Sequence, residues 1–337
     1  MAARGEPDVG HGGTMRAPGR VRAEALAEAC AAAGELPLPG RGRTLERWAA
    51  LAALAADDLV LARLAEAHAD AVAVVAELAG APLPPGSRWG VWAAEDPTGV
   101  LTAVPLDGQG AGWLLDGAKA WCSGATLLTH ALVTARRGQS RQLLAVALDA
   151  AGITVAADDW AAGGMKAADT RRVRFDRVPA RAVGGPDGYL RRPGFWIGGI
   201  GVAACWYGGA TAVAAPLRER VGARGDDPHA AAHLGAVDVA LGGARDVLRA
   251  AADAVDARPE ADHARLARRV RATVAGAAAE VIRRVDRALG PGPRARDRQH
   301  SARIADLEVY LLQEHAERDL AALGAAVVAA AEPDWSL

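Results

Sequence analysis

The sequence predicts an α+β fold in three parts: an N-terminal helical domain, a middle β-barrel-like domain and a C-terminal helical bundle of four-helix type. Three observations carry this. Near both ends of the chain, apolar residues recur at three- and four-residue steps, the period of one helix face. Between those regions, short apolar runs alternate with Gly, Asp and Pro, the pattern of strands joined by turns. Alanine dominates the apolar set, which favours helix wherever the period allows it. At 337 residues, 51% of them hydrophobic, the chain is long enough for one large domain or two to three smaller ones.

Residues 1–20 are mainly Gly, Pro, Arg and Ala with almost no large apolar side chain, and they read as a disordered leader. The N-terminal helical domain is expected over 21–86. It starts with an alanine-rich helix from Val21 to Gly34, followed by the turn-rich connector LPLPGRGRT. Helix resumes from Leu45 to Leu78, where Leu45, Trp48, Leu51, Ala55 and Leu59 share a face and Asp57-Asp58 stand where a second helix would be capped. His68 falls in that second helix; a lone His among alanines reads more readily as structural or solvated than as a ligand. Gly80 and APLPPGS end the block.

The middle β-domain is expected over 87–190, with short strands at Val100–Leu106, Trp113–Leu115, Ala131–Ala135, Leu143–Leu148, Ile153–Ala156 and Arg172–Phe175. Its most informative stretch runs from Gly112 to Arg136. Trp113-Leu114-Leu115 meets Asp116-Gly117, a tight-turn signal, so a hairpin is expected there. Lys119, Trp121 and Ser123 then alternate, as along one face of a strand. An indole and a hydroxyl two residues apart would make a wall for a flat aromatic ligand; a hairpin with a core Trp is the plainer reading of the same residues.

The C-terminal bundle is expected over 191–332. Leu234, Val237, Leu241, Ala244, Leu248, Ala251 and Val255 step by three and four, and so do Leu266, Val270, Val274, Ala277, Val281, Val285 and Leu289. Gly290-Pro291-Gly292-Pro293 breaks the second stripe, and Ile304, Leu307 and Leu311 begin a third. RRPGFWIGGIGVAACWYGG, from Arg191 to Gly209, mixes aromatics with glycines and suits either a pocket wall or close helix packing.

The totals exclude some functions. Lys plus Arg number 39 and Asp plus Glu 40, a net charge of −1, which argues against nucleic-acid binding on a basic face. Cys30, Cys122 and Cys205 are widely spaced with no CxxC, so neither a disulfide framework nor a metal site is expected, and a reducing, cytoplasmic setting is. No run approaches ~18 strongly apolar residues, so no membrane span is expected. The alanine-rich stripes of the bundle suggest a homo-oligomer.

LDGAKAWCSGA and HALVTAR resemble the middle domain of the acyl-CoA dehydrogenase family, with its G-x-K-x-W-x-[ST] signature. GMKAADTRRVRFDRVPARAVG, from Gly164 to Gly184, is similar to the segment that ends that β-domain. LARLAEAHADA resembles part of the N-terminal helical domain, and the stripe from Leu266 to Leu289 resembles a long bundle helix. The resemblance covers roughly residues 35 to 328 and implies an acyl-CoA dehydrogenase-like fold binding FAD. It places Trp121 and Ser123 on the flavin ring. WAAEDPTG stands at the family's flavin-holding loop, with Ala94 and Gly99 as cofactor-binding positions. Two departures are visible: Val100 and Leu101 replace hydroxyl residues after that Gly, and no Phe follows Arg220 or Arg224 in RERVGARGDDPHAAAH to complete the family's R-x-x-F segment.

The resemblance also implies the reaction, α,β-dehydrogenation of an acyl thioester such as an acyl-CoA, with an electron-transfer partner. In ADLEVYLLQEHAERD it puts Glu314 at the catalytic base. His315, beside it, points to an alternative, a flavin-dependent monooxygenase on the same fold. A flavin-free scaffold or binding member is the third reading, favoured by the two departures.

Overall fold

The computed structural model describes residues 21–97, 99–106, 112–225, 227–330 and 335; the leader expected over 1–20 lies outside them. The N-terminal region is three helices, α1 (Ala23–Gly34), α2 (Thr44–Asp57) and α3 (Leu59–Leu78). The break between α2 and α3 falls at the acidic pair. Asp58 takes an extended conformation and its Oδ1 accepts the N–H groups of Val60 at 3.1 Å and Leu61 at 3.0 Å, satisfying donors the new helix leaves unpaired. α3 is buried nearly all round, and His68 in it accepts the Trp89 backbone N–H at 3.2 Å. Burial pushes the His68 pKa down, so this is a neutral, structural imidazole.

Among the described residues seven strands follow: β1 (Trp89–Trp92), β2 (Leu101–Pro105), β3 (Trp113–Cys122), β4 (His130–Arg137), β5 (Ser140–Ala147), β6 (Ile153–Val155) and β7 (Arg171–Ala182). They close a small barrel. β4 pairs with β2 and β5, β2 with β3, β3 with β7, and β7 returns to β5; β1 adds in parallel to β4, and β6 to β7. The interior is filled by Trp92, Trp113, Leu115, Val133, Leu144, Phe175 and their neighbours.

The hairpin expected at Asp116-Gly117 does not form. β3 runs straight through both residues, and the pairing with β7 shifts register between Leu115 and Gly117. Gly117, at φ 117°, lets the Val100 carbonyl approach where any Cβ would collide with it. The glycine therefore serves a bulge inside one strand rather than a turn between two. The alternation expected for Lys119, Trp121 and Ser123 also fails. A second register shift lies between Lys119 and Cys122, and Trp121 sits at φ 60° within it. Lys119 is buried, its Nζ donating to Thr134 Oγ1 at 2.8 Å and the Thr134 carbonyl at 2.9 Å, while Trp121 is 54% exposed.

Helices return with α4 (Gly188–Arg191), α5 (Gly194–Arg224), α6 (Pro228–Ala257), α7 (Ala264–Leu289), α8 (Pro291–Arg296), α9 (Arg298–Leu311) and α10 (Ala316–Ala329). The two long stripes are α6 and α7, whose Val237, Ala244, Leu248, Val270, Val274 and Val281 join one core with α2, α3 and α5. α5 is long and apolar enough to cross a membrane by composition, but 72% of its apolar window is buried inside this protein, as the central helix of the core. Barrel and bundle are joined at the GMK segment: the Met165 N–H donates to Asp306 Oδ1 on α9 at 2.6 Å.

Candidate functional site

A cleft of about 1200 Å³ opens where α3, the barrel, α5 and the α9–α10 turn meet. One wall is the end of β3 and the start of β7. There the Ser123 hydroxyl pairs with Thr170 Oγ1 at 2.9 Å, and the Ser123 carbonyl accepts Trp92 Nε1–H at 3.0 Å, so the wall is pinned from the barrel side. Trp121 stands out of this wall into the cleft because the left-handed conformation at the bulge throws its side chain off the strand. Its indole meets Trp160 edge to face, with ring centroids 6.3 Å apart. Arg171 and Arg172 from β7 also line the cleft; Arg171 pairs with Asp169 at 2.5 Å, and Arg172 faces Asp96 at 3.9 Å.

Of the residues singled out from the sequence, Ala94, Trp121, Ser123 and His315 come together on this cleft. Gly99 is not among the lining residues and is packed where a side chain would displace the Arg172 guanidinium. His315 is exposed, with Nδ1 3.3 Å from Asp319 Oδ2. Glu314 does not line the cleft. Its side chain is 10% exposed and its Oε2 lies 3.5 Å from Nε of Arg271. Burial raises the Glu314 carboxyl above the usual range, against the pull of Arg271. Arg271 is itself fixed, donating to the carbonyls of Gly199 at 2.8 Å and Gln313 at 3.0 Å and lying over the Trp206 ring. Glu95, in the loop aligned with the flavin-holding segment, is engaged by Lys119 at 3.4 Å and Arg141 at 3.3 Å.

The site residues that sequence reasoning missed lie on α3. Arg63, Glu66 and Asp70 line the cleft, and Glu77 continues the same stripe beyond it. Arg63 pairs with Glu66 at 3.6 Å. Arg192 bridges Asp70 at 3.2 Å and Glu77 at 3.0 Å. Glu66 is 6% exposed, and burial raises its carboxyl to about 7 while Arg63 pulls it down. The signal was their spacing of three, four and seven, one charged line on a helix otherwise made of small apolar residues.

The acyl-CoA dehydrogenase middle-domain family matches residues 93–178, which hold most of the barrel and the Trp121 wall. The chain has the acyl-CoA dehydrogenase-like fold, and its barrel matches the family's middle domain. L-evernosamine nitrososynthase of Micromonospora sp. is 44% identical to it over 95 residues, 27% of this chain and 22% of that protein, so the match spans under a quarter of that curated relative. Among solved structures, a nitrososynthase from Micromonospora carbonacea var. africana superposes with a TM-score of 0.72 at 23% identity, over 91% of this chain and 95% of that one. KijD3, solved with FMN and dTDP-3-amino-2,3,6-trideoxy-4-keto-3-methyl-D-glucose, gives 0.72 at 21% identity, over 89% and 83%. TdsC of Paenibacillus sp. A11-2, solved with FMN and indole, gives 0.69 at 18% identity, over 90% and 95%. At these identities the likeness is one of fold. Within the acyl-CoA dehydrogenase family fold, the cleft at the junction of helical region, barrel and bundle fits a flavin: an exposed indole, a pair of hydroxyls beside it, and two arginines on the same wall.

Proposed function

We propose that this protein is a flavin-dependent monooxygenase acting on a small molecule that carries an amine. The observation that carries the reading is the split fate of the two halves of the expected site. Trp121, Ser123 and Thr170, the proposed flavin wall, line the cleft, whereas Glu314, the expected base for dehydrogenation, is not among its lining residues and is paired with the cleft-lining Arg271. A carboxylate that must take an α-proton has to reach the substrate. The monooxygenase reading therefore takes precedence over α,β-dehydrogenation of an acyl thioester, and the assembled wall weighs against a flavin-free scaffold.

The relatives support the same choice. Two are named as nitrososynthases, one is solved with an amino-sugar nucleotide, and TdsC is named as a dibenzothiophene monooxygenase. FMN suits the cleft better than FAD does. Val100 and Leu101 supply no hydroxyl for a second phosphate, and KijD3 and TdsC were solved with FMN. Trp121 would lie against the ring system, Ser123 and Thr170 would meet its polar edge, and Arg171 or Arg172 would take the single phosphate. Bound and reduced, the flavin supplies two electrons, so that one atom of dioxygen enters the substrate and the other leaves as water. The reading includes an electron donor that delivers reduced flavin, a homo-oligomer, and the cytoplasmic setting in which the three buried thiols stay free.

The test is oxygen uptake by the protein with FMN and a flavin reductase. Uptake that yields an oxidised amine, with no flavin bleaching by any acyl-CoA, is expected. Bleaching by an acyl-CoA, or failure to bind any flavin, overturns the reading.

A further inference from the structure

We infer that Glu66 is the acid–base group of the cleft, accepting a proton from the ammonium of an amine substrate. The inference rests on the monooxygenase reading above and adds the residue that reading lacks. An ammonium has no lone pair with which to take up oxygen. Its N–H bond must break, the pair staying on nitrogen, and the proton must pass to an acceptor, here a Glu66 carboxylate oxygen that becomes the O–H of a neutral acid.

Geometry singles out Glu66 for this. It lies on the inner face of α3, on the cleft wall, one helical turn from Asp70. Arg63, its ion-pair partner, stands at 3.6 Å, beyond hydrogen-bond reach, so the pair does not consume its oxygens. Against this part of α3, α5 presents Gly198 and Gly199 instead of side chains. A Cβ at Gly198 would come within 2.8 Å of Asp70 Oδ1, so the glycine leaves room for that carboxylate and for the Arg192 guanidinium that holds it at 3.2 Å.

The charges around Glu66 match the task. Arg63 on its own helix, Arg47 on α2 and Arg271 on α7 favour its ionised form, and Asp70 opposes it, as does burial. Cys205 on α5, Tyr189 on α4 and Tyr310 on α9 also feel its charge, and burial raises the pKa of all three, keeping them neutral. The balance leaves Glu66 at about 7, between an ordinary carboxylic acid and an alkylammonium, where a group both accepts and returns a proton at neutral pH.

The test uses the FMN-loaded protein and its Glu66→Gln and Glu66→Asp variants. Infrared difference spectra across pH 5 to 9 should show a protonated-carboxyl band that titrates near neutrality in the wild type and vanishes in Glu66→Gln. Methylamine, glucosamine and the amino-sugar nucleotide seen with KijD3 serve as probes, with dTDP as the amine-free control. At least one amine should shift that band and bind roughly tenfold tighter to the wild type than to Glu66→Gln, while dTDP binds both alike. In turnover, Glu66→Gln should lose the acidic limb of the kcat/KM profile and Glu66→Asp should restore part of it. A wild type that oxidises amines while Glu66→Gln keeps the same pH profile overturns the inference and leaves the monooxygenase reading standing. A wild type that oxidises none of them sinks that reading; the inference then stands or falls on whether the band responds to an amine. No response overturns it.

Discussion

The indoles of Trp121 and Trp160 meet at 90°, ring centroids 6.3 Å apart, one from the bulge at the end of β3 and the other from the loop that leads to β7. Trp160 is steadied in turn by donating Nε1–H to the Gly164 carbonyl at 2.8 Å. An exposed indole held in this way is pre-oriented for a ring. Trp121→Ala should leave the fold intact, because the side chain is 54% exposed, and weaken FMN retention. Losing one aromatic contact of about 0.5–1.5 kcal/mol predicts roughly two- to tenfold weaker binding, read by fluorescence titration of FMN.

Glu314 gives a sharper discrimination. Its carboxylate is paired with Arg271 and does not line the cleft, so Glu314→Gln is expected to keep amine oxidation within about twofold of wild type. Loss of all turnover in steady-state assays, with the protein still folded, would return the base to the α9–α10 turn.

Glu66 should leave a mark on stability even without substrate. Its carboxyl is raised from the ordinary 4.5 to about 7 in the folded state, so between those values the native protein binds more protons than the unfolded chain. Stability from this group is complete below about 4.5 and is lost as pH rises through about 7. Denaturant titrations should show the wild type losing ground to Glu66→Gln across that window, by at most about 1.4 kcal/mol per pH unit. A constant difference between the two proteins at every pH would rule this out.

Asp58 offers a test of the helix that carries the charged line. Its carboxylate caps α3 through the N–H groups of Val60 and Leu61. Asp58→Ala should cost about 1 kcal/mol in chemical unfolding, and Asp58→Ser should recover most of it.

Much of this molecule can be read from its residues, and the failures have physical causes. The α6 and α7 stripes were plain because Val, Leu and Ile mark one face against a polar one. The surrounding pattern of glycine, lysine and hydroxyl singled out Trp121 and Ser123, and both line the cleft. Asp116-Gly117 misled because Gly at positive φ serves a bulge as well as a turn, and local sequence does not separate the two. Glu66 was missed because α3 is alanine-rich on every side. With no large apolar face to mark the inside, Arg63, Glu66 and Asp70 look like a solvated stripe until α5 packs against them. Glu314 was placed by position along the chain, which cannot foretell that it would pair with Arg271.

The pairing of β7 has a bearing on how the molecule is made. β7 bonds to β3, β5 and β6, and without it the remaining strands form only an open ribbon around β4. A chain emerging from the ribosome therefore cannot shut its barrel until Ala182 is out, long after Trp89 has appeared. Until then the edges of β3 and β5 wait unpaired. Birth of this protein is exposed to aggregation at that interval, and slowing translation just before residue 171 would lengthen it.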